Sequence, residues 1–124
     1  ACSNDAMQYA VLAAMEKASD YPDLIAKEFK ERCDLIVNRL NEMPGVECHK
    51  PKGAIYVFPK VNVKGMTSEE VALELLKDGV LCSPGSAFGP SGEGHLRFAY
   101  TISKEDISRG MDKVEATLKR LNGL

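Results

Sequence analysis

No charge block, no long apolar run and no paired-cysteine motif occur in this chain, and each absence removes a class of function. The 16 basic and 18 acidic side chains are interspersed and leave a formal net charge of -2. Neither a basic nucleic-acid footprint nor a polybasic membrane surface is therefore expected. No apolar stretch approaches the roughly 20 residues of a spanning helix, and the first residues lack the basic-then-apolar pattern of a signal peptide. A cytoplasmic protein without a membrane partner is expected. Cys2, Cys33, Cys48 and Cys82 are scattered and form no CxxC pair, which suits reduced thiols. The one conceivable zinc set, Cys48, His49, Cys82 and His95, begins with an adjacent Cys-His pair, not a usual chelating spacing, so no metal is expected. No GK[ST] or G-x-G-x-x-G opens a helix, so Gly85, Ser86, Gly89, Gly92 and Gly94 are turn formers rather than a phosphate cradle.

With no repeats and no low-complexity linkers, 124 residues fit one domain with a core of its own. Ser3, Asn4 and Asp5 offer cap chemistry to a first helix carrying Tyr9, Val11, Leu12, Ala13 and Met15. Asp20 and Pro22 restart the chain into a second, whose Ile25, Phe29, Cys33, Ile36 and Leu40 recur at three- and four-residue steps until Pro44 and Gly45 end it. Extended chain follows, with residues 54–58 an apolar run of buried-strand length. Thr67 and Glu70 have capping-box spacing before a third helix, which Gly79 closes. Residues 80–82 read as a short strand ending at Pro84, and residues 96–100 as another. Ser103 and Asp106 open a last helix with Ile107, Met111, Val114, Leu118 and Leu121 on one stripe. The pattern implies an α/β fold: a two-layer sandwich in which helices cover one face of a small mixed sheet.

Arg97 is the chemically informative residue. It lies on the last strand, where alternation puts Leu96, Phe98 and Tyr100 on one face and Arg97 with Ala99 on the other. A guanidinium on a strand is costly to desolvate unless an anion meets it, and its planar fork suits a carboxylate held by two parallel hydrogen bonds. The competing expectation is that Arg97 pairs with an internal carboxylate or caps a helix.

Three ordered stretches, SNDAMQYAVLAAM at 3–15, PKGAIYVFPKV at 51–61 and GVLCSPGSAFGPSGEGHLRFAY at 79–100, together resemble class I/II aminotransferases of the aspartate aminotransferase type, with the fold of fold type I pyridoxal-phosphate enzymes. The resemblance covers nearly the whole chain and maps onto the C-terminal third of that family. It implies that residues 1–20 are part of the helical connection to a large domain and that residues 21–124 are the C-terminal small domain. Arg97, in the segment Gly94-His95-Leu96-Arg97, then takes the position of the arginine that grips the substrate α-carboxylate. Gly53, Ala54 and Ile55 match the family's G-A-F/I stretch near the substrate. For Ala54 and Ile55 simple core packing competes, and is favoured for Ile55, where many relatives carry Phe.

By the same resemblance, the intact protein transfers an amino group between an amino acid, aspartate or a broader set, and a 2-oxo acid such as 2-oxoglutarate. It uses pyridoxal 5'-phosphate and forms a homodimer. The Schiff-base lysine and the other cofactor ligands fall upstream, so no catalytic or cofactor-binding residue is expected in these 124 residues, and this chain alone is expected to be inactive. Thr101-Ile102-Ser103-Lys104 superficially resembles the family's S-x-[S/T]-K lysine motif. However, Asp112 and Val114 stand where that motif continues with arginine and glycine, and Ser103 with Asp106 is better explained as a helix cap. The alternative functions are an autonomous amino-acid-binding module and a protein-interaction domain using the apolar residues of the first helix.

Overall fold

The computed structural model describes residues 4–124, so Cys2 and the Ser3 cap lie outside the described residues. Helix α1, Asp5–Lys17, is capped by Asn4, whose Oδ1 accepts from the Ala6 N–H at 2.9 Å. It buries none of its residues. Helix α2, Tyr21–Asn41, starts with Pro22 in its first turn and buries Cys33, Ile36, Val37 and Leu40, the expected stripe. Helix α3, Ser68–Lys77, has the full capping box. Thr67 Oγ1 accepts from Glu70 N–H at 3.3 Å, and the Glu70 carboxylate accepts from Thr67 N–H at 2.8 Å. Helix α4, Lys104–Asn122, is capped by Ser103, which accepts from Asp106 N–H at 3.0 Å.

The strands are short. β1 (Val46–Glu47) pairs with β3 (Lys60–Val61), and β5 (Leu96–Ala99) lies between β2 (Tyr56–Val57) and β4 (Ser83–Pro84). Every one of these pairs is antiparallel, so the small sheets are antiparallel rather than mixed. Two 3-10 turns, Gly85–Phe88 and Pro90–Gly92, double the chain back between β4 and β5, which forces that direction. Helices pack on one face. Ile36 and Leu40 of α2, Leu75 of α3 and Val114 of α4 meet Val57 and Leu96 in a core where all six are almost fully buried.

Two strand expectations need correction. The strand expected from Val80 ends at Pro84 as read, but its pairing begins only at Ser83, because Val80 N–H is still bonded to the Leu75 carbonyl at the end of α3, at 2.8 Å. The run 54–58 is not buried throughout. Val57 is 1% exposed, whereas Ile55, Tyr56 and Phe58 are 36%, 39% and 41% exposed: Tyr56 and Phe58 alternate onto the sheet face that the helices leave open, and Ile55 precedes β2. Core packing is thereby set aside for Ile55.

The glycine-rich turn is held by a backbone-on-backbone approach. A Cβ on Gly85 would fall on the Gly92 carbonyl oxygen, and one on Gly92 would fall on the Gly85 carbonyl oxygen, so neither position admits a side chain. Gly53 has nothing within 4 Å of its would-be Cβ. Gly85→Ala should therefore lower the unfolding free energy by about 1–3 kcal/mol, while Gly53→Ala changes it by less than about 0.5 kcal/mol, as read from urea melts.

Candidate functional site

Three neighbours from three elements converge on Arg97. Ser83 of β4 lies directly across from it, and its Oγ accepts a hydrogen bond from Arg97 Nη2 at 3.3 Å. Tyr56 of β2 pairs with Ala99, which makes it the diagonal neighbour of Arg97 on the same open face. Phe88 closes the first 3-10 turn. The guanidinium carbon lies 4.5 Å from the centroid of the Tyr56 ring and 4.5 Å from that of Phe88. Because the rings arrive from opposite flanks of β5, the cation sits between them. Phe58 extends the aromatic surface, edge-on to Phe88 at 5.9 Å and stacked on His95 at 5.1 Å.

The charge at this site has no internal counterion. Arg32 pairs with Glu28 at 3.0 Å, Arg39 with Asp112 at 2.7 Å, Arg109 with Asp106 and Arg120 with Asp78 at 2.7 Å. Arg97 alone of the five arginines forms no ion pair among the described residues, although it is half-buried. The internal-carboxylate alternative is thus absent among the described residues, and Arg97 donates to the neutral Ser83 hydroxyl instead. Such a guanidinium has N–H donors left over for an external acceptor in its own plane.

The other expected site residues stand apart from this cluster. Gly53, Ala54 and Ile55 form an exposed stretch leading into β2 and adjoin Arg97 only through Tyr56. Gly53 and Ala54 line a separate cavity of about 630 Å³ against Phe29, Cys33 and Tyr100. Ala54 adopts φ +65°, and its carbonyl accepts from the Tyr100 hydroxyl at 2.7 Å. Burial pushes the Tyr100 pKa up to about 12, so the phenol keeps the proton it donates. Tyr56, Ser83 and Phe88 were missed by the sequence reading. An aromatic residue inside a glycine-rich turn was the available signal for Phe88.

Lysine geometry is of a different kind. Lys104 is ion-paired with Glu31 and Lys50 with Asp34, and these hydrogen-bonded carboxylates raise both lysine pKa values. Burial raises the Cys48 and Cys82 thiols to about 11, leaving them protonated. Among the described residues, no three His, Cys, Asp or Glu side chains gather as a metal site.

Known proteins similar to this chain share one family. The aspartate aminotransferase of Pyrococcus horikoshii is 45% identical over 94 residues, 75% of this chain and 24% of that protein. The aromatic-amino-acid aminotransferase 2 of Thermococcus litoralis is 37% identical over 121 residues, 95% of this chain and 31% of that protein. The solved alanine aminotransferase of Pyrococcus furiosus superposes with a TM-score of 0.89 at 38% identity, covering 96% of this chain and 31% of that one. The chain belongs to the class I/II aminotransferases, as a C-terminal segment. It spans about a quarter to a third of the length of these relatives. No family model matches it.

In this aminotransferase segment the turn bearing Phe88 is tied to α3 by one carboxylate. Glu93 accepts from Ser68 N–H at 2.6 Å, Ser68 Oγ at 3.0 Å and Gly94 N–H at 3.1 Å, while Ser86 N–H donates to Ser68 Oγ at 3.3 Å. Ser68 is the first residue of α3, so the carboxylate also meets the positive end of the helix dipole. These backbone donors hold the Glu93 pKa below its ordinary value of 4.5. A depressed folded-state pKa gives stabilisation that is present above the unfolded value and lost as pH falls through the folded one. The stability gap between the parent chain and Glu93→Gln should therefore be full at pH 7 and close below pH 4.5 in paired denaturation series. A gap that stays constant to pH 3 would show that the carboxylate charge is not what anchors the turn.

Proposed function

We propose that the intact protein, of which this chain forms the C-terminal third, is a pyridoxal 5'-phosphate-dependent aminotransferase in which Arg97 binds the α-carboxylate of the amino acid and of the 2-oxo acid. The observation that carries this reading is the counterion-free guanidinium between Tyr56 and Phe88, in a chain whose relatives are named aminotransferases. Both half-reactions present the same carboxylate, so one clamp serves both and fixes the substrate Cα relative to the reacting centre. The similar proteins are named for aspartate, aromatic amino acids and alanine, which favours aspartate or a broader set as donor. Gly53 is read as the point where backbone approaches substrate, with Ala54 and Ile55 beside it.

Lys50 and Lys104 do not fit the cofactor. A lysine that carries it needs a lowered pKa and a desolvated setting, and Lys50 and Lys104 have the reverse. We therefore assign the cofactor and the catalytic lysine to an upstream large domain, and the isolated chain is inactive on this reading. Helix α1 supports such a partner. It buries no residue and leaves Tyr9 and Met15 each 76% exposed, as expected of a connection that packs on a neighbouring domain. A homodimer in the cytoplasm completes the proposal. No helix among the described residues is long and apolar enough to cross a membrane.

Arg97→Lys in the intact protein keeps the charge but removes the planar fork. It should raise KM for both the amino acid and the oxo acid by about 10- to 100-fold, with a smaller fall in kcat. Steady-state kinetics in both directions measure this. Unchanged KM values in both directions would remove Arg97 from the substrate.

A further inference from the structure

We propose that Tyr56 and Phe88 are positioning residues that hold the Arg97 guanidinium on edge, so that a carboxylate meets it only in its own plane. This rests on Arg97 being the carboxylate ligand, and it adds two residues and a geometric rule to that reading.

The guanidinium carbon lies over the Tyr56 ring and over the Phe88 ring, 4.5 Å from each centroid, so aromatic surface borders the group on both flanks of β5. An anion then meets the rim, where the N–H groups lie. Ser83 Oγ takes one of those from Nη2, which fixes the rotation of the group within the slot and leaves other N–H donors for a bidentate acceptor. Apolar walls also lower the local dielectric and strengthen that pair relative to one formed in open water. A lysine in the slot would satisfy the charge but not the planar stack.

Each ring is held in place by something other than Arg97. Tyr56 is fixed by its pairing with Ala99 on β5. Phe88 is fixed by the turn, where the Gly85–Gly92 backbone approach and the Glu93–Ser68 bonds set the path, and by the edge of Phe58. The slot is thus formed before any ligand arrives, and binding need not order a free side chain, which is the benefit of preorganisation. Tyr56 and Phe88 are 39% and 51% exposed, so neither is core packing whose loss would open an internal cavity.

The test uses the intact protein with Tyr56→Leu and Phe88→Leu, the conservative Tyr56→Phe and Phe88→Tyr, and propionate as a simple carboxylate probe of the site. Each Leu variant should raise KM for both substrates, and the propionate inhibition constant, together by about fivefold, with kcat within about twofold of the parent. Phe88→Tyr and Tyr56→Phe should restore the parent values. In an Arg97→Lys background the Phe88→Leu effect should shrink below about twofold, because the ring acts through the guanidinium. Leu variants that leave KM and propionate inhibition unchanged, while Arg97→Lys raises both, overturn the clamp and leave the carboxylate reading standing. If Arg97→Lys changes neither, the carboxylate reading fails and the clamp falls with it. Should a Leu variant not fold, its conservative partner and the other ring decide the question.

Discussion

A guanidinium in the central strand with no carboxylate of its own is the constraint around which this structure is arranged. In a protein where every other arginine has found an anion, Arg97 is left between two rings and a hydroxyl. A half-buried unpaired charge is unfavourable in isolation, and the cation-π contacts offset only part of that cost. Fold stability alone gives no reason to keep it there. On the proposed reading the substrate carboxylate supplies the missing term.

Everything that holds the slot open comes from backbone rather than from long side chains. Antiparallel pairing sets Ser83 opposite Arg97 and Tyr56 on its diagonal, so both distances follow from register. The turn between β4 and β5 works by the same economy. Gly85 and Gly92 approach so closely that the chain has essentially one path, and Phe88 is placed by that path. Glu93 then ties the returning arm to the start of α3, a rigid element anchored in the core by Leu75. A one-residue slip in β5 would turn Arg97 into the core, and the buried Leu96 and Phe98 oppose it.

What was legible in the sequence was the part governed by local rules. The helix stripes, the Thr67 and Ser103 caps and the alternation on β5 depend on neighbours three or four residues away, or two along a strand, and each is present as read. Arg97 stood out because one cation among apolar strand residues needs a reason. Its partners did not stand out, because Tyr56, Ser83 and Phe88 lie 41, 14 and 9 positions before it and meet it only through sheet pairing or, for Phe88, through the path of the 3-10 turn. The strand expected from Val80 begins late for a related cause: the bond from Val80 N–H back to α3 is decided by how that helix ends, not by the apolar run that follows. Likewise the run at 54–58 looks buried on composition alone, whereas the one-sided helix layer exposes Tyr56 and Phe58, and Ile55 stands outside β2.

The two faces of β5 are not independent. Tyr100, at its core-side end, donates its hydroxyl to the Ala54 carbonyl and its N–H to the Ile55 carbonyl, at 2.7 Å and 3.0 Å. Ala54 has φ +65°, a conformation that costs a non-glycine residue about 1–2 kcal/mol, and these bonds are what over-determine it. The kink, two residues before Tyr56, sets the direction in which the chain enters β2. A buried phenol on one face therefore fixes where a ring stands on the other, and the 53–55 stretch acts on the Arg97 slot through backbone direction rather than by touching it. Strain at Ala54 is thus explained without assigning that residue a ligand of its own.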